Sequence, residues 1–234
     1  MQQHKEFALT QPKSFLHSLF LVAQYHGIST EYFCKKLGID EHIITDNERT
    51  TTREHVIGAY QLVLEHTNDE FLGIGTTAMP RGTIRVMVKL AQHDRTLGQA
   101  LKSIDSILRI SQAPISLQVR RHKGVITWRF IANVKESGFY SIITIIQMGL
   151  FYHLLSLLTQ KEVVLENISF SEPRPPNFSD FQFLFQRNLK FNQCEFSLSI
   201  EQKWLSLPVN CNYQELKKYL DVPLSLISYA LDTY

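Results

Sequence analysis

Through the first half of the chain, apolar residues recur at the three-and-four spacing of helices with one buried face. Residues 14–26 (SFLHSLFLVAQYH) place Phe15, Leu16, Leu19, Phe20 and Ala23 together, and Gly27 follows as a natural stop. Ser29 and Thr30 can cap a second helix over EYFCKKLG. A third is predicted over 52–66, with Val56, Ala59, Tyr60 and Val63 as its stripe. The chain turns at Met79-Pro80-Arg81-Gly82 before a helix over 83–91. Over 96–111 (TLGQALKSIDSILRIS), Leu97, Ala100, Leu101, Ile104, Ile107 and Leu108 keep the helical period throughout.

Beyond Pro114 the period shortens to two. ISLQVRR and GVITWRFI alternate apolar and polar residues on either side of His122-Lys123-Gly124, the pattern of a β-hairpin. Residues 137–160 (SGFYSIITIIQMGLFYHLLSLLTQ) then carry no formal charge. Their length could span a bilayer. Gln147, His153 and several Ser and Thr residues interrupt the run, and its flanks lack an aromatic belt with a basic cluster, so a buried core helix is expected. Strands follow at EVVLENISF and CEFSLSI, separated by the proline-rich SEPRPPN and a short helix over 179–186. Two helical stretches, YQELKKYL and LSLISYALDTY, close the chain. Helices first and a hairpin–helix–strand order afterwards predict an α+β fold. A helical part is expected over about 1–112, with a small mixed sheet and packed helices over about 113–234.

Composition alters this picture in two respects. With 24 Lys+Arg against 22 Asp+Glu the net charge is only +2, without the basic excess of a typical nucleic-acid reader. The three cysteines, Cys34, Cys194 and Cys211, are scattered and odd in number. They imply no disulfide framework and point to a cytoplasmic setting, in keeping with an N-terminus that lacks a signal-peptide pattern.

Catalytic and metal signatures are not recognisable, so neither enzyme activity nor a cofactor is expected. The nine histidines form no HExxH or Cys/His ligand set, and Gly73-Ile74-Gly75 reads as a turn rather than a dinucleotide loop. Residues 29–48 (STEYFCKKLGIDEHIITDNE) have the rhythm of a helix-turn-helix. Its second helix would open with Asp40 and Glu41, two carboxylates toward the DNA backbone, so a packed pair of helices is expected instead. The run Arg120, Arg121, His122 and Lys123 with Trp128, Arg129 and Phe130 could bind single-stranded nucleic acid. The competing reading is a solvated, charged strand edge with its aromatics on the core.

Three segments together resemble the N-terminal effector-binding and oligomerisation region of AraC-type transcriptional regulators, in the helical arabinose-binding-like branch. They are LGIDEHIITDNERT (37–50), FLGIGTTAMPRGTIRVMVKLAQHDRTLGQALKSIDSILRI (71–110) and ISFSEPRPPNFSDFQFLFQRNLKFNQCEFSLSIEQKWLSLPV (168–209). The matching positions are Asp46 and Arg49 after Leu-Gly-Ile, the Thr-Leu-Gly-x-Ala-Leu helix start at 96–101, Phe170 with Pro173, and Leu207-Pro208. The resemblance implies a domain that senses a small molecule, forms a homodimer and controls DNA binding by a C-terminal helix-turn-helix domain. That reader is not in this chain, which stops at Tyr234 and is expected to be either a shortened piece or a one-domain relative. A ligand-free dimerisation or interaction module is the alternative. The branch's arabinose label is not carried over as chemistry.

Ligand pockets are concave and mostly apolar, with few polar groups. Trp128 and Phe130 on the hairpin, with Tyr140, Met148, Phe151 and Tyr152 on the uncharged helix, form the richest apolar-aromatic wall. An apolar or amphipathic effector is expected there, with Arg129 or His153 meeting a carboxylate; the alternative is that all of them are core.

Overall fold

Helix ends fall where capping chemistry puts them. The computed structural model describes residues 15–45, 52–174, 184–185, 189–217 and 219–226. Helix α1 (Phe15–Tyr25) stops before Gly27, whose φ is 79°. Helix α2 (Thr30–Leu37) opens on Ser29, whose hydroxyl accepts from Tyr32 N, and ends at left-handed Gly38. Helix α3 (Glu41–Thr45) follows at once, with Ile39 and Ile44 buried beneath it. Its described residues, turned inward by the isoleucines and packed on α1 and α2, make a tight helical arrangement and not a projecting DNA reader. Helix α4 (Arg53–Thr67) carries a reciprocal cap between Thr52 and His55, and α5 (Thr83–Ala91) and α6 (Leu97–Ile110) complete the helical half.

Strands β1 (Ile115–His122) and β2 (Val125–Ala132) form the expected hairpin. Its two turn residues, Lys123 and Gly124, both have positive φ (46° and 78°), the conformation that matches the strand twist. A single 3-10 turn (Ser137–Phe139) leads into α7 (Tyr140–Thr159), then come β3 (Leu165–Ser169), β4 (Leu189–Lys190) and β5 (Ser197–Glu201). A second 3-10 turn (Gln202–Ser206) and the short α8 (Tyr213–Leu216) follow. The sheet order is β1-β2-β5-β3-β4, antiparallel except for the β3–β4 pair. The fold is therefore α+β with a mixed sheet. The helix expected at 179–186 lies outside the described residues except for Leu184 and Phe185, as do Asp46, Arg49 and most of the final stretch.

The segment Ser137–Thr159 is long and apolar enough to cross a membrane, yet an apolar stretch of eighteen residues within it is entirely buried by the rest of the fold. Eighteen of the twenty residues of α7 are buried, which is the expected core helix.

Two buried carboxylates organise the turn before α5. Asp69 accepts from Phe71 N (2.8 Å) and Met79 N (3.0 Å), closing the loop between them. Gly82 has no side chain with which to cap α5. The Glu70 carboxylate substitutes, accepting from Gly82 N (2.7 Å) and Ile84 N (2.9 Å) at the positive end of the helix. The Tyr60 hydroxyl donates to the Glu70 carbonyl from the α4 side. Burial raises the Glu70 carboxyl to about 7 despite the two amide donors, which pull the other way. The folded chain thus holds a proton there that the unfolded chain releases above about 4.5. The stability linked to that proton is full below this pH and is lost as the pH rises through 7. In thermal melts across this range, Glu70→Gln is expected to remove a decline on the order of 3 kcal/mol; an unchanged slope would show that Glu70 does not carry it.

Candidate functional site

The start of α6 is strapped down by a distant part of the chain. Thr96 caps the helix by accepting from Gln99 N (3.4 Å). Leu97 N donates to Leu207 O (2.9 Å), Val209 N donates to Arg95 O (3.3 Å), and Thr96 bridges Pro208. A Cβ on Gly98 would lie 3.2 Å from the Leu205 carbonyl oxygen, so the glycine is what lets the strap come so close. Two separate parts of the family pattern, Thr-Leu-Gly at 96–98 and Leu-Pro at 207–208, therefore meet in one place.

The hairpin register fixes the opposite wall. Val119 pairs with Trp128, Arg121 with Ile126 and Leu117 with Phe130, so these six side chains share one face of the sheet. Between that face and α6 lies a cleft of about 310 Å³. Thr96, Gly98, Gln99, Leu101, Lys102 and Asp105 line it from α6, and Leu205 from the strap. Leu117, Val119, Arg121, Ile126 and Trp128 line it from the hairpin, and Phe151 from α7. The Phe151 ring sits 5.2 Å from that of Trp128 and 5.4 Å, edge-on, from that of Phe130. A second chamber of about 50 Å³ adjoins it, between Met87 and Ile104 on the helical side and Gln147, Leu150 and Leu154 of α7. Leu117 and Phe151 border both spaces.

The structure brings together some of the sequence-predicted residues and separates others. Trp128 and Phe151 line the cleft, and Phe130 lines the adjoining chamber. Arg129 points to the other face of the sheet, where it and Arg120 approach Glu195 at 3.4 and 3.0 Å. Adjacent strand residues face opposite ways, so Arg129 cannot share a site with Trp128. Tyr140 packs its ring on Phe196 (5.7 Å), and Tyr152 packs on Phe185 (6.5 Å). Met148 is fully buried one helical turn before Tyr152. His153 donates from Nε2 to the Leu184 carbonyl (2.8 Å), and burial lowers its pKa to about 4. Its ring is neutral at physiological pH and already engaged, which leaves it no charge to offer a carboxylate. Burial also removes the nucleic-acid reading of the hairpin, because Trp128 is 3% exposed and Phe130 1%, too little for base stacking.

The family model for the arabinose-binding domain of AraC transcription regulators, N-terminal, matches residues 27–209. The chain belongs to this family. No curated protein matches it. Among solved structures, the transcriptional regulator CdpR from Pseudomonas aeruginosa is similar, at 14% identity and a TM-score of 0.44, over 92% of this chain and 68% of that one. In this arabinose-binding-type domain, Gly73-Ile74-Gly75 is indeed a turn. Gly73 has positive φ, Ile74 is buried, and the segment bonds to the chain after β2 through Lys135 N to Ile74 O.

Sequence reasoning missed Gln99, Lys102, Val119, Arg121 and Gln147 as cleft and chamber residues. Arg121 could have been found by parity alone, since a two-residue turn at Lys123-Gly124 puts it on the Trp128 side. Lys102 could not, because only the tertiary fold brings α6 against the hairpin.

His153 has a testable consequence of opposite sign to that of Glu70. Its folded pKa lies below the ordinary 6.5. The associated stability is therefore present above that pH and is lost as the pH falls through about 4. His153→Gln can still donate to Leu184 but cannot titrate. Melts of this variant are expected to lose the acid-side decline, again on the order of 3 kcal/mol; retention of the decline would assign it elsewhere.

Proposed function

We propose that the chain is the effector-sensing domain of an AraC-type regulator and that its effector occupies the cleft between α6 and the hairpin. One observation carries this reading: the cleft is open, with an apolar, partly aromatic floor and a few polar groups at its edge. Its volume falls at the lower end of the range for small-molecule sites. A polyhydroxylated sugar would need hydrogen-bonding groups throughout, whereas most of this lining is aliphatic or aromatic.

An effector in the cleft touches α6, the hairpin, α7 and the strap at Leu205 together. It would favour whichever arrangement of these elements encloses it best, and so shift populations between two states of the domain. In the full regulator that shift would control a C-terminal helix-turn-helix domain in the cytoplasm, with the sensing domains paired as a homodimer.

The second reading, a ligand-free dimerisation module, rests on a different surface. Val86 and Leu90 lie one turn apart on α5, each about half exposed, and Ile110 projects from the end of α6. A ligand screen followed by thermal melts separates the two. A compound at about one hundred times its Kd adds about 2.7 kcal/mol, which for a chain of this size is a rise of roughly 5–10 °C. Val119→Trp, which puts a ring into the cleft from an exposed strand position, is expected to abolish that rise. If no compound shifts the melt while the chain sizes as a dimer, the sensing reading falls and the dimerisation module stands.

A further inference from the structure

The edge of the cleft is chemically uneven, and its unevenness narrows the ligand. Lys102 and Arg121 are exposed lining residues with no ion-pair partner among the described residues. Three other cations of the hairpin and α6 are engaged, Arg120 and Arg129 by Glu195 and Arg109 by Asp105 at 2.8 Å, while Lys123 sits in the turn, outside the cleft lining. Asp105 is the acidic residue of the lining, and Arg109 holds it. The edge therefore presents two uncommitted positive charges above an apolar floor.

The adjoining chamber adds an independent observation. Gln147 is 8% exposed, and its amide nitrogen is buried with no hydrogen-bond partner among the described residues. It lines a space that is otherwise apolar. Buried donors without an acceptor are rare, because lost hydration is not offset. A ligand oxygen reaching past Leu117 and Phe151 would supply the acceptor once the Gln147 amide turns toward it.

We propose that the cleft and chamber together bind one medium-chain carboxylate with a hydroxyl or keto oxygen on its apolar body. The carboxylate pairs with Lys102 and Arg121, the body lies on Trp128 and Phe151, and the oxygen accepts from the Gln147 amide. This proposal rests on the cleft being the effector site, and it adds the chemical class.

Calorimetric titration of the full chain tests it with octanoate, octanol, and keto- and hydroxyoctanoates substituted at successive carbons. Octanoate is expected to bind about tenfold more tightly than octanol. Replacing both Lys102 and Arg121 by Gln should erase that difference by weakening octanoate alone. One substituted octanoate should exceed the parent by about fivefold, the worth of one hydrogen bond. Gln147→Leu should abolish this gain and leave octanoate binding intact. Octanol binding as tightly as octanoate, or a charge preference that survives the double variant, overturns the anionic class while leaving a ligand in the cleft. No gain from any oxygen position, or a gain that survives Gln147→Leu, overturns the role of Gln147. Octanoate binding unaffected by Val119→Trp overturns the cleft itself, and with it the reading beneath.

Discussion

Helix α7 has apolar side chains around its whole circumference, so no single flat partner can cover it. Contacts come from α1 and α6 on the helical side and from β2 on the sheet side. Each enclosing element has one apolar face to contribute, as Ile126, Trp128 and Phe130 show on β2. Fully burying one large aliphatic side chain is worth about 1.5–3 kcal/mol, so enclosing α7 supplies much of the driving force that brings the two halves together. The polar residues along it must then find partners close by. Thr144 donates to Tyr140 O, Thr159 to Leu155 O and His153 to Leu184 O, while Ser156 accepts from Val163 N. Gln147 departs from this rule at its amide nitrogen, and the residue also lines the adjoining chamber.

Helix α6 touches β1 and is also held by the strap on the far side of the cleft. At its start the backbone bonds to Leu207 and Arg95 bonds to Val209, which hold it against the strap. Further along, its buried stripe of Ala100, Ile104 and Leu108 belongs to the core. Lys102 and Arg121 are long side chains whose charged ends stay in water while their stems cover apolar surface. Two such residues flanking a gap keep it from closing on itself. Strand β1 is also the edge of the sheet, where its basic run discourages pairing with another chain.

What was legible in the sequence was local. The helix over 97–110 followed from an unbroken three-and-four stripe with Thr96 before it, and the hairpin followed from alternation on either side of His122-Lys123-Gly124. The enclosed helix was legible because charge was absent over its whole length. Strand β4 was not, since Leu189 and Lys190 pair in parallel with a partner some twenty residues back, a pairing that no local period displays. The candidate cleft was half legible. Aromatic richness pointed to Trp128, Phe130 and Phe151, which do cluster. The same criterion gathered Tyr140, Tyr152 and His153, which occupy other sides of α7, because an all-round apolar helix gives no moment to say which side faces what. Arg129 was placed beside Trp128 by adjacency along the chain, although strand alternation turns it the other way.

That alternation also decides how the basic hairpin should be understood. Read linearly, arginines, a lysine and aromatic rings in one short stretch suggest a surface for a charged polymer that stacks its bases. Folded, the rings turn inward and two arginines are taken up by Glu195 on the outer face. Only Arg121 of that run lies on the ring side, and α6 brings Lys102 to the same cleft. A charge pair of this kind, above a floor a few side chains wide, exerts its field over a short range in physiological salt. It suits one small anion with an apolar body better than an extended polyanion. The near-cancelling net charge agrees, because this chain offers no broad positive field to draw in nucleic acid.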